Sequence, residues 1–146
     1  MQLKVFRVRD NHDLPLPAYQ SPGAAGLDLR ADIHEAVTFK PGERGLIPTG
    51  IAVEIPLGFE GQVRARSGLA LKQGLGMANA PGTIDADYRG EIGVIAINFG
   101  QQPVTIKRGD RIAQLVICPV VQPEIIEVKE LAKSDRGSGG FGSTGK

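Results

Sequence analysis

The sequence predicts an all-β domain, a distorted jelly-roll or barrel of short antiparallel strands with one short helix. Two observations carry that expectation. Ten prolines and twenty glycines are spread through all 146 residues and leave little room for long helices. Between them lie short β-type runs set off by turn signals, the pattern of a sandwich or barrel. No internal repeat is visible.

The expected elements follow in order. Leu3–Val8 alternates and reads as a first strand. Ala36–Lys40, Ile51–Ile55 and Gln62–Arg66 are the next β-type runs, each with glycine or proline close by. Gly68–Gln73 holds the good helix formers Leu69, Ala70, Leu71 and Lys72, with Ser67 placed to cap them. Ile92–Asn98, Val104–Lys107, Ile112–Ile117 and Ile125–Val128 return to strand character, and a further turn is expected near Val128–Lys133.

Length and charge bound the function classes. The chain is one domain by length and large enough for a real core. A net charge of +1 gives no electrostatic footprint for stable nucleic-acid binding. No run of about 18 apolar residues is present to span a membrane, and the charged N-terminus lacks the apolar core of a signal peptide. Cys118 is the only cysteine, which excludes an internal disulfide and suits a reducing, cytoplasmic setting.

Several internal segments hold residues suited to chemistry. Gly82–Gly90, GTIDADYRG, packs Asp85, Asp87, Tyr88 and Arg89 between glycines. An extended reading puts both aspartates on one face. A turn between strands explains them equally, but not Tyr88. In RARSG, Arg64 and Arg66 would share a strand face before Ser67 and Gly68. That is either an ordinary strand end or a phosphate site, since arginine and a helix N-terminus both favour an anion. Asp28, in AGLDLRAD, reads as a metal-side carboxylate or as a turn residue. Gln114 interrupts the apolar strand of DRIAQLVI, as a solvent-face residue often does. His12 and His34 lack metal-ligand spacing and read as surface residues.

The last eleven residues, RGSGGFGSTGK, hold five glycines together with Arg136, Phe141, Ser143, Thr144 and Lys146. Glycines let backbone N–H groups close around an anion, arginine forks onto phosphate, and one aromatic ring suits a base. A disordered tail is the plain alternative. GFGSTGK also matches part of a P-loop, but no strand precedes it and no Ser or Thr follows Lys146. Ordering the tail costs about 1–2 kcal/mol per residue, and no core burial offsets that. The expectation is a body over residues 1–135 and a mobile lid over residues 136–146 that closes on a ligand.

In this order and at these spacings, AGLDLRAD, RARSGLA, GTIDADYRG, GDRIAQLVI and RGSGGFGSTG closely resemble the five motifs of the trimeric deoxyuridine triphosphatases (dUTPases). The resemblance runs from about Ala25 to the end of the sequence. It implies hydrolysis of dUTP to dUMP and pyrophosphate with Mg²⁺, which limits uracil in DNA and supplies dUMP for thymidylate synthesis. It implies a jelly-roll homotrimer whose active sites are shared between chains.

The resemblance also implies residue roles. Asp85 orients the attacking water and meets the sugar 3′-hydroxyl, and Tyr88 lies under the deoxyribose. Asn79 stands at the uracil edge, with Thr83 and the rest of an expected Leu75–Ile84 hairpin. Arg66, Ser67 and Gly68 contact phosphate, and Gln114 lies near the water and α-phosphate. Asp28 steadies the metal through its water shell. Arg136, Phe141, Gly142, Ser143 and Thr144 form the lid, with Phe141 over the base.

Two rivals stay open. A dCTP deaminase would need a catalytic glutamate in the base pocket; Leu75–Ile84 has none, and Glu91 lies on the next strand. A non-catalytic nucleotide sensor would be expected to have lost Asp85, Gln114 or Ser67, and all three are present.

Overall fold

A computed structural model describes residues 1–140. Among them are eleven strands and one helix: β1 Lys4–Arg7, β2 Gly26–Arg30, β3 Val37–Phe39, β4 Arg44–Pro48, β5 Ile51–Glu54, β6 Phe59–Ala65, α1 Ser67–Gln73, β7 Leu75–Met77, β8 Gly82–Ile84, β9 Gly93–Asn98, β10 Val104–Ile106 and β11 Arg111–Pro119. The all-β expectation holds. The barrel alternative does not, because the strands form four separate sheets: β1-β5, β10-β3, β2-β11-β6-β8 and β4-β9-β7. Every strand pairing is antiparallel.

One core joins these sheets. Leu29, Ile47, Val63, Ile92, Val94, Ile106 and Leu115 are fully buried, drawn from elements of three sheets and their joins. The strand β9 shows how the sequence sets this up. Val94, Ala96 and Asn98 are buried while Gly93, Ile95 and Ile97 are half-buried, the two-residue alternation of a pleated strand. Buried Asn98 is fully used: its amide donates to the Phe39 and Gln102 carbonyls at 2.9 and 2.8 Å, and its oxygen accepts from Gly100 N–H at 2.8 Å. Such a satisfied polar group holds the turn after β9 in place.

The most deeply buried charged side chain among the described residues is Asp32, 2% exposed. It accepts from Arg9 and from Asn11, each at 2.8 Å, and from Arg108. Arg108 also grips Asp13, and Arg9 reaches on to Glu91 at 2.6 Å. This network ties the N-terminal segment to the loop before β11 and to Glu91, two residues before β9. Burial pushes the Asp32 carboxyl up, and the bonds from Arg9, Asn11 and Arg108 together outweigh it, so the net shift is down.

Several expectations need correction. β2 and β4 fall outside the expected runs; each is short, and Asp28 or glycine and proline breaks its alternation. Leu75–Ile84 is not a hairpin. β7 pairs with β9 and β8 pairs with β6, so the segment crosses between two sheets. Ile125–Val128 forms no strand: beyond Val120, whose N–H donates to the Gly58 carbonyl at 2.9 Å, the arm lies exposed and pairs with no strand among the described residues. The helix begins at Ser67 itself, and the N-cap position belongs to Arg66, without a side-chain cap bond. Arg64 and Arg66 also diverge: Arg64 bonds Gln62 on its own strand, whereas Arg66 crosses to Asp28.

Candidate active site

The residues expected to bind base and sugar gather in one cleft. Asn79, Thr83, Asp85 and Tyr88 line a cavity of about 310 Å³ together with Leu46, Ile84, Glu91, Gly93 and Ile95. The turn at Ala78 is tied to β9 by its N–H on the Ile95 carbonyl at 3.0 Å. β8 then pairs with β6 and delivers Asp85 just past its last residue. There the chain turns: the Tyr88 N–H closes back on the Asp85 carbonyl at 3.1 Å, and Arg89 braces the turn on the Ala86 and Tyr88 carbonyls. The turn reading of the two aspartates is therefore the correct one. It leaves Asp85 exposed at the cleft and swings the Tyr88 ring back, its hydroxyl donating to the Glu91 carbonyl at 3.1 Å.

Glu91 reaches this cleft, but its carboxylate is committed. One oxygen accepts from Gly50 N–H at 2.7 Å and the other from Arg9 at 2.6 Å. It is a structural tie, not a free acid for amino-group chemistry.

A second group sits at the opposite end of β6. Asp28, in β2, faces Gln114, in β11, and Gln114 in turn faces Arg64 in β6. The Asp28 carboxylate holds two arginines: Arg66 Nε at 3.0 Å on one oxygen and Arg111 Nη1 at 3.1 Å on the other. Arg66 also donates to the Arg111 carbonyl at 3.0 Å. Gln114 donates to the Ala65 carbonyl at 3.0 Å, one residue before this arginine. Ser67 and Gly68 follow directly, exposed at the start of α1. Two guanidiniums held on one carboxylate thus lie close to the chain that opens α1.

Asp85 and Gln114 stand apart along β6. Asp85 is level with Glu60 in the β6 register, while Gln114 is level with Arg64. Those levels are four residues apart, about 13 Å at roughly 3.3 Å per residue. Arg136 joins neither group; it lies exposed in a local turn, donating to the Gly139 carbonyl at 2.8 Å. Phe141, Gly142, Ser143 and Thr144 lie outside the described residues. Sequence reasoning missed Arg111, Leu46 and Ile95. Arg111 stands three residues before Gln114 and carried a charge signal; the apolar pair, opposed across β4 and β9, carried none.

With this geometry in view, the comparisons decide the family. The family model described as dUTPase matches residues 12–145. The chain belongs to the dUTPase family. It is 68% identical over 145 residues to the deoxyuridine 5′-triphosphate nucleotidohydrolase of Anaeromyxobacter sp. (strain Fw109-5), covering 99% of this chain and 97% of that one. Its fold matches the Staphylococcus bacteriophage 80alpha dUTPase solved with dUPNHPP at a TM-score of 0.88, with 31% identity and 99% of both chains covered. It also matches a mutant dUTPase from phage phi11 of S. aureus, a structure that bears on the coordination of a structural Mg(II) ion, at a TM-score of 0.80 and 28% identity, covering 91% of this chain and all of that one. The dUTPase assignment fits the all-β fold.

Proposed function

We propose that the chain hydrolyses dUTP to dUMP and pyrophosphate by attack of water on the α-phosphate, limiting uracil in DNA and supplying dUMP. The observation that carries this reading is the single cleft lined by Asn79, Thr83, Asp85 and Tyr88. Asn79 and Thr83 read the base, and Tyr88 fills the space a 2′-hydroxyl would need. Asp85 takes the proton of the attacking water, a contribution typically of about 10²–10⁴-fold. Arg66, Ser67, Gly68 and Arg111 hold phosphate charge, and Gln114 orients the water beside the α-phosphate.

The reading includes a homotrimer. The register separates Asp85 from Gln114, so a neighbour must supply one of them to each site. Exposed Val120, Val121, Ile125, Ile126, Val128 and Leu131 give the 120–131 arm an apolar surface that suits packing on another chain. Arg136, Phe141, Gly142, Ser143 and Thr144 complete the site as a lid, with Phe141 stacked on the base.

Mg²⁺ fits this site through water. Among the described residues no group of three or more His, Cys, Asp or Glu could cage a metal. Asp28 offers hard oxygens, each with lone-pair capacity left beyond its arginine, and would hold a metal-bound water. When bound, the ion neutralises triphosphate charge. The lone Cys118 and a nucleotide substrate favour a reducing, cytoplasmic setting.

Product analysis with dUTP, dCTP, dTTP and UTP tests the proposal. The expected result is dUMP and pyrophosphate from dUTP with little turnover of the others. Deamination of dCTP, or equal cleavage of UTP or dTTP, would overturn it.

A further inference from the structure

Two side chains assigned to the reaction rest on glycines. Gln114 lies across the sheet from β6 toward β2. Its amide N–H donates to Ala65 on the β6 side, and its other end lies over Gly26 on β2. A Cβ at Gly26 would overlap Gln114 Oε1 and stand 3.1 Å from the Gln114 Cβ and Cδ. At the other end of the site, a Cβ at Gly90 would overlap the Tyr88 hydroxyl and stand 2.5 Å from Cζ and 2.9 Å from Cε2. Neither glycine has positive φ, so the backbone there does not demand glycine. The space does.

We propose that Gly26 and Gly90 are positioning residues, whose missing side chains leave the room that Gln114 and Tyr88 occupy. The proposal rests on the dUTP reading above. With one N–H spent on Ala65, Gln114 Oε1 takes no hydrogen bond from the described residues and is free to accept from water. A methyl group at Gly26 would push that oxygen aside. A methyl group at Gly90 would lift the Tyr88 ring off the main chain and stretch its bond to the Glu91 carbonyl. In both cases the nearest obstacle is the far part of a side chain with free torsions, so the side chain moves and the fold stays.

The test uses the full-length protein and the variants Gly26→Ala, Gly90→Ala, Gln114→Ala, Tyr88→Ala and the two doubles. Gly26→Ala should lower kcat for dUTP by about tenfold or more while KM changes little, because the group it displaces acts on the reacting water. The Gly26→Ala/Gln114→Ala double should be no slower than Gln114→Ala alone, since both changes remove one contribution. Gly90→Ala should lower the preference for dUTP over UTP in kcat/KM by about tenfold, with no further loss in the Tyr88→Ala background. Thermal melting of both glycine variants should stay close to that of the unchanged protein.

Unchanged kcat in Gly26→Ala, or losses that multiply in its double, would overturn the role of Gly26. Unchanged selectivity in Gly90→Ala would do the same for Gly90. A variant that fails to fold overturns its assignment too, because the methyl group would then displace more than one side chain. An unmodified protein inactive on dUTP is a separate outcome: it overturns the functional reading and the inference with it.

Discussion

Asp28 and Arg66 form an ion pair at 3.0 Å, and the second Asp28 oxygen holds Arg111 at 3.1 Å. One buried carboxylate thus holds two guanidiniums together, one of them on the residue just before α1. Asp28→Asn keeps the shape and loses the charge that aligns them. A charged hydrogen bond contributes about 1.5–3 kcal/mol, so kcat/KM for dUTP should fall about 10–100-fold. Steady-state kinetics checks this, and a near-normal value would remove Asp28 from the phosphate site.

Asp85 stands exposed at the cleft, at the mouth of the turn closed by Tyr88. Asp85→Asn should cut kcat by about 10²–10⁴-fold and leave dUTP affinity little changed. Single-turnover rates with binding titration separate the two, and a large loss of affinity at normal rate would contradict a base role.

The Tyr88 ring is held by its hydroxyl on the Glu91 carbonyl. With the sugar bound as proposed, Tyr88→Ala opens the space under it. Because a pocket discriminates by about 1–3 kcal/mol per small group, the preference for dUTP over UTP should fall about 10-fold or more. Competitive kinetics with both nucleotides measures it, and a preserved preference would place the sugar elsewhere.

The network around Asp32 predicts an acid limit to stability. Its carboxyl is held below the ordinary value of about 3.8 in the folded state, and Asp13 is lowered by its bond from Arg108. Carboxylates lowered by folding stabilise fully above their unfolded pKa, and that stability is lost as pH falls through the folded value. The melting temperature should therefore be flat near neutrality and drop below about pH 4. Asp32→Asn should cost about 2 kcal/mol at neutral pH, less than a fully buried pair, because both arginines remain about a third exposed. The acid drop should then be shallower. A melt with the same slope in both proteins would assign the acid limit to other groups.

Local pattern made much of this molecule legible. The runs at Ile51–Ile55, Ile92–Asn98 and Ile112–Ile117 overlap β5, β9 and β11, since glycine and proline punctuate them sharply. β2 was missed because Asp28 sits mid-strand, a buried carboxylate that makes sense only once Arg66 and Arg111 are seen beside it. Ile125–Val128 has strand composition, yet composition does not supply an edge to pair with. The motifs named the site residues singly. That they fall into two groups at opposite ends of β6 depends on long-range register, which no local pattern carries.

The shared site is the central claim, and chain mixing tests it most directly. For the homotrimer proposed above, Asp85→Asn and Gln114→Ala proteins, each nearly inactive, are unfolded, mixed equally and refolded, with the unmodified protein refolded as control. If Asp85 and Gln114 of one site come from different chains, a site revives when each donor carries the other's change. Random assortment under cyclic symmetry makes that about one site in four, so about a quarter of the control activity should return. Refolded trimers with no activity above the parent variants would mean both residues come from one chain and would contradict the account.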